Sequence, residues 1–197
     1  MTKKNIESLT KSINRANAAF AKMTKAQQRV TIAKDVIAGI KAKRLVANHD
    51  VYLGLGHKEE NAIDDNPEGS LQEQLKSIPE CTVCAKGALF VCTVARRNQV
   101  KNEELPGYYH ENWNGDALSG LLGGVFSPYQ LRLIETEFEG EDIEYDGDGR
   151  EINAKMFSPK YNNNGFINKD YMADTRLIAI MRNIIKNNGT FKPVAKK

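Results

Sequence analysis

Cysteine is scarce. Three thiols in 197 residues are an odd number and too few for a disulfide framework. A chain of this length buries a sizeable core without such staples, so the scarcity points to a reducing cytoplasm. No run approaches the roughly 18 consecutive apolar residues that a membrane helix needs. The opening MTKKNIESLT is charged and lacks an apolar signal core, so neither membrane insertion nor export by a standard signal is expected. Histidine is sparse as well. His49, His57 and His110 pair locally with no serine, cysteine or carboxylate in a recognised elbow. The glycines at 120–124 (GLLGG) have no following Lys-Ser/Thr and no strand–loop–helix setting, and Gly54-Leu-Gly56 is equally short of a phosphate loop. An enzyme is therefore not the expectation, although catalytic residues can converge from distant positions.

What is present is an uneven distribution of charge. The net +3 divides into +9 over residues 1–49, −13 over 50–153 and +7 over 154–197. Such a chain either folds so that its ends screen its middle, which is the simpler reading, or presents separate patches to partners.

The periodicity predicts mostly helix. Ile6, Leu9, Ile13 and Phe20 form a narrow stripe over 4–22, read as a peripheral N-terminal arm (1–22) outside a globular domain (23–197). Thr24 with Gln27 makes a capping box for a second helix, whose core face is Val30, Ala33, Val36, Ile37 and Ile40. Lys41, Lys43 and Arg44 end it, where cations suit the helix dipole, and direct nucleic-acid binding by the protein is not expected. VYLGLG (51–56) reads as a short strand or extended segment, and Ser70 as the cap of a short helix. Ser127-Pro128 opens a helix carrying Leu131, Ile134 and Phe138. Asp174 is read as the cap of the last helix, with Leu177, Ile178, Met181, Ile184 and Ile185 buried, and Asn188-Gly189 as its left-handed end. Residues 141–170 hold at most one small hairpin. The predicted fold is mainly α, a single globular helical domain around one buried central helix.

That central helix is read from ECTVCAKGALFVCTVARRN (80–98), which has hardly any polar face before Arg96. On one helix Cys81, Cys84 and Cys92 would share a third of the circumference. A structural zinc site wants four ligands, usually from two paired knuckles. Redox chemistry of the thioredoxin kind wants a βαβ context. The cysteines are read as buried thiols packing like small hydrophobes. No metal or other cofactor is expected; any metal site would draw on these three. Gly87 within the apolar run implies that another helix crosses closely there.

Two surface features remain. Eight carboxylates with no Lys or Arg among them run from Glu135 to Asp148: Glu135, Glu137, Glu139, Glu141, Asp142, Glu144, Asp146 and Asp148. EYDGDG (144–149) echoes a calcium loop, but alignment on its glycine puts Lys155 where the bidentate Glu is required. The stretch reads as turns, with an acidic face that imitates nucleic-acid phosphates left open. The loop GYYHENWNG (107–115) gathers Tyr108, Tyr109, His110 and the only tryptophan, Trp113, just beyond Arg96 and Arg97. Large aromatics with polar tips suit a binding hot spot or base stacking, or fold back to lid the core.

Four phrases, QRVTIAKDVIAGIKA (28–42), CTVCAKGALF (81–90), FSPYQLRLIETEFEG (126–140) and RLIAIMRNIIKNNGTFKP (176–193), resemble an uncharacterised family of small phage, prophage and bacterial proteins. That family shares a C-x-x-C-A-x-G-A-L helix and an N-I-I-x-N-x-G-x-F-x-P ending. The resemblance supplies no catalytic residues. It implies an accessory protein in a bacterial host cytoplasm that binds and modulates a host protein. The alternative expectation is a small-ligand binder, such as a sponge for nucleotide-derived signals, built on the aromatic loop with Arg96 and Arg97.

Overall fold

A computed structural model describes residues 15–49, 52–55, 80–97, 122–139, 144–145, 151–152 and 173–192. The fold is mainly α. Among the described residues no helix is long and apolar enough to cross a membrane.

Helix α1 is described over residues 15–21. Its Phe20 is only 3% exposed and belongs to the core, and the Phe20 carbonyl accepts a hydrogen bond from Gln28 Nε2 at 3.1 Å. This end of the segment read as a peripheral arm is thus docked. Ile6, Leu9 and Ile13 lie outside the described residues.

Helix α2, Lys25–Lys41, starts as its capping box dictates: Gln27 N–H donates to Thr24 Oγ1, and Thr24 N–H donates to Gln27 Oε1 at 2.9 Å. Ile32, Ala33, Val36 and Ile40 are buried. Val30 and Ile37 of the expected face are only half-buried, and Ile32, not expected on that face, is fully buried. Lys43 at φ 54° then turns the chain into strand β1, Leu45–Ala47.

The sheet is the main departure from expectation. Strands β1, β2 (Leu53–Leu55) and β3 (Cys81–Val83) form a three-stranded sheet in the order β1-β3-β2. β3 is central, parallel to β1 and antiparallel to β2. The Cys-x-x-Cys motif therefore does not lie on a helix: Cys81 is in the strand and Cys84 is the N-cap of helix α3, Ala85–Arg96. A continuous apolar run has no polar face by which to tell a buried strand from a buried helix. The sheet partners decide, and Thr82-Val83 suit a pleated surface. Helix α3 itself is the buried central helix that the sequence implied, with Ala88, Leu89, Phe90 and Val94 fully enclosed.

Helix α4, Pro128–Glu139, opens with Ser127 Oγ accepting from Gln130 N–H at 3.2 Å. Between it and the last helix lie the short antiparallel strands β4 (Glu144–Tyr145) and β5 (Glu151–Ile152), within the stretch read as holding at most one small hairpin. Helix α5 is Ala173–Lys186. Asp174 lies within its first turn, and its carboxylate accepts the Ala47 N–H of β1 at 2.8 Å, tying helix to sheet instead of capping the helix. Leu177, Ile180, Met181 and Ile184 are buried, while Ile178 and Ile185 are half-buried. Asn188 at φ 52° and Gly189 at φ 89° form the left-handed end, with Gly189 N–H bonded to the Ile184 carbonyl.

Helices α2, α3, α4 and α5 pack as a ring, each against its two neighbours, with α2 against α5 the most extensive contact. Gly189 lies on the Ala26 backbone, and Arg29 donates to the Gly189 carbonyl at 2.5 Å and to the Val125 carbonyl at 2.8 Å. The end of α5 thus sits on the start of α2, and the two run antiparallel.

Gly87 is in close contact with the carbonyl of Tyr52, where any Cβ would collide. The close neighbour is the chain entering β2, not the crossing helix expected from sequence. Backbone cannot swing aside as a flexible side chain can, so Gly87→Ala should cost roughly 1–3 kcal/mol by overpacking. Gly123→Ala, at an exposed position with nothing near a new Cβ, should leave the urea midpoint unchanged. Equal midpoints for the two variants would contradict the contact.

Candidate functional site

Parallel pairing of β1 and β3 brings both carboxyl ends to the N-terminus of α3, the edge at which open α/β arrangements gather functional groups. Asn48 N–H continues the ladder to the Val83 carbonyl at 2.9 Å, and Cys84 N–H reaches the Tyr52 carbonyl. The turn between β1 and β2 is therefore folded over the start of α3, and it carries His49 with it.

His49 is 7% exposed. Its ring stacks on Phe138 of α4, centroids 4.6 Å apart and planes inclined by 24°. Its Nδ1 stands 3.5 Å from Glu139 Oε2. Cys84 caps α3, its Sγ accepting the Gly87 N–H. One turn before Glu139, Glu135 forms an ion pair with Lys86 of α3. Burial pushes the Cys84 thiol up to about 12, and the charges of Glu139 and Glu135 push the same way against the backbone N–H groups of the helix. The Tyr52 hydroxyl is also raised, by burial first and then by Cys84 and Glu135. A thiol from a strand end, an imidazole from a turn and two carboxylates from α4 thus lie around the start of α3. The thiolate is the nucleophilic form of cysteine, and this environment keeps Cys84 protonated at neutral pH. In that state the thiol acts as a cap and a packing group.

The other thiols are equally enclosed. Cys81 and Cys92 are free and buried, and burial raises both. The three cysteines occupy a strand, a cap and a helix, not the common helical face inferred from their spacing. Among the described residues no group of three or more histidine, cysteine or acidic side chains is placed to hold a metal ion.

The other sequence candidates are dispersed. Arg96 forms a two-pronged ion pair with Asp35 of α2, Nε and Nη2 each 2.7 Å from a carboxylate oxygen, so its guanidinium joins α3 to α2. Arg97, the C-cap of α3, lies against Gly124. Tyr108, Tyr109, His110 and Trp113 lie outside the described residues, as do Glu141, Asp142, Asp146 and Asp148, and only the backbone of Glu144 is described, in β4. The three acidic residues on α4 do not share a solvent face. Glu135 pairs with Lys86, Glu139 approaches His49, and Glu137 is 1% exposed, 3.8 Å from Arg176. A step of two residues turns about 200° around a helix, which sends Glu137 to the opposite side. The sequence does not mark His49 because its partners Phe138 and Glu139 lie about ninety residues away and meet it only in the folded chain.

Comparison with protein-family models, with curated proteins and with solved structures returns no match.

The enclosed thiols have a measurable consequence. At pH 8 the native protein should react with a thiol-specific reagent far more slowly than the unfolded chain, in which all three cysteines are open. Rapid native labelling of Cys84 would contradict its environment. The folded state holds these protons above the ordinary thiol value of 9.0, so it binds more protons than the unfolded chain in that range. The resulting stability is complete below about pH 9 and falls as the pH climbs from there toward 12. Replacing Cys92 by alanine should flatten that alkaline decline, read as urea midpoint against pH.

Proposed function

We propose that the protein is a non-enzymatic accessory protein of phage or prophage type that binds and modulates a host protein. One observation carries the reading: the groups with most chemical potential in the sequence are engaged within the fold. The Cys-x-x-Cys thiols are buried and Arg96 is held by Asp35. Association through the surface is the mode of action this leaves, and the resemblance to phage and prophage proteins favours a bacterial protein as partner. The aromatic loop with Tyr108, Tyr109 and Trp113 supplies the residue types that dominate binding hot spots. An acidic mimic of nucleic acid fits less well, because Glu137 points inward. The nucleotide-sponge alternative loses its principal cation to Asp35.

The test is affinity capture from a bacterial lysate with the intact protein, followed by titration of the isolated partner. A single protein recovered at defined stoichiometry is expected, with Trp113→Ala weakening the complex by about tenfold or more, as truncation of a hot-spot aromatic does. Nucleotides should leave the melting temperature unmoved, whereas a true ligand at about 100 times its Kd stabilises by about 2.7 kcal/mol. A nucleotide-dependent shift with no captured partner would replace this reading with the sponge.

A further inference from the structure

Among residues whose exposure the structure gives, ten lysines and arginines are exposed. None of the ten forms an ion pair among the described residues.

Half of these cations lie on two segments that the fold makes neighbours. Gly189 rests on Ala26, so the segment entering α2 and the segment leaving α5 are neighbours. Lys22 and Lys25 come from the first, and Arg182, Lys186 and Lys192 from the second, all exposed. Arg182 and Lys186 are four residues apart and share the side of α5 away from the buried Leu177, Ile180 and Ile184.

The fold does not account for this grouping. Helix dipoles favour cations at the carboxyl end, which accounts for Lys41 on α2 and Lys186 on α5. Lys22 and Lys25 sit at the opposite, positive end of α2, where an acidic residue would be favoured and the first turn holds none. Cations placed against local preference and left without partners are the kind of departure that marks a site of interaction.

We propose that this junction of α2 and α5 binds the phosphodiester backbone of nucleic acid without regard to base sequence, an activity separate from capture of a host protein. Charge complementarity calls for a polyanion. The composition of the face favours nucleic acid over an acidic protein. Protein interfaces are depleted in lysine and centred on buried aromatic and apolar anchors. The only large hydrophobic side chain exposed among the described residues is Tyr129, on α4. Lysines with no apolar centre supply a row of point charges that can follow phosphates by releasing counterions.

Fluorescence anisotropy with labelled DNA and RNA oligonucleotides of mixed sequence tests this on the full chain. Binding at 50 mM salt should vary little among sequences. It should fall about a hundredfold by 200 mM salt, as about four phosphate contacts require. The pair Lys25→Glu with Lys186→Glu, both exposed and unpaired, should abolish binding while leaving the melting temperature close to that of the parent. The control pair Lys43→Glu with Arg44→Glu, at the far end of α2, should weaken it much less. Absence of binding at 50 mM salt, equal loss in both pairs, or equal affinity for polyglutamate of matched charge would each overturn the proposal.

Discussion

Two backbone hydrogen bonds hold the turn between β1 and β2 over the start of the central helix: Asn48 to Val83, and Cys84 to Tyr52. Much of the structure depends on that strap. It brings the Tyr52 carbonyl so close to α3 that residue 87 has to be glycine. It fixes Cys84 at the point where strand becomes helix, with the thiol turned back to cap the first turn. It also carries His49 into the space between Phe138 and Glu139, so that α4 is located against the sheet as well as against α3. The Cys-x-x-Cys-Ala-x-Gly motif is, in this fold, a strand-to-helix corner under a strap, its thiols buried as the sequence suggests.

The helices were legible because their signals are local. Thr24 with Gln27, Ser127 with Pro128, and Asn188 with Gly189 each satisfy terminal backbone groups within a few residues, and the apolar spacing between them follows the helical period. Strand β2 falls inside VYLGLG, which reads as strand or extended segment, but the pairing is not legible, because β1 and β3 meet across a long intervening stretch and each strand is only three residues long. Three apolar residues carry no period. The same blindness displaced Asp174, a plausible cap in sequence whose carboxylate is claimed by Ala47 once the sheet exists. It also hid the candidate site, since His49, Cys84 and Glu139 come from three separate segments.

Charge tells a related story at larger scale. Pairing inside the fold is selective: Asp35 with Arg96 joins α2 to α3, Glu135 with Lys86 joins α4 to α3, and Glu137 faces Arg176 between α4 and α5. Each link crosses a helix–helix contact of the ring, and each employs a residue that sequence reasoning had set aside for a ligand, a mimic or a solvated face. The cations of α2 and α5 that remain outside these links are the ones left to meet another molecule. Half-buried links of this kind hold geometry more than they add stability, so the ring is held chiefly by its apolar core and positioned by its charges.

Native-state amide hydrogen exchange at Asn48 and Cys84 tests the central claim most directly. If the strap and the start of α3 form one cooperative unit with the core, both amides open only with the whole molecule, and their opening free energies equal the global stability from urea unfolding. Exchange of these two amides by local opening, at free energies roughly 2 kcal/mol or more below the global value while Ala88 and Leu89 stay fully protected, would show that the strap is a surface loop and that the account of this corner is wrong.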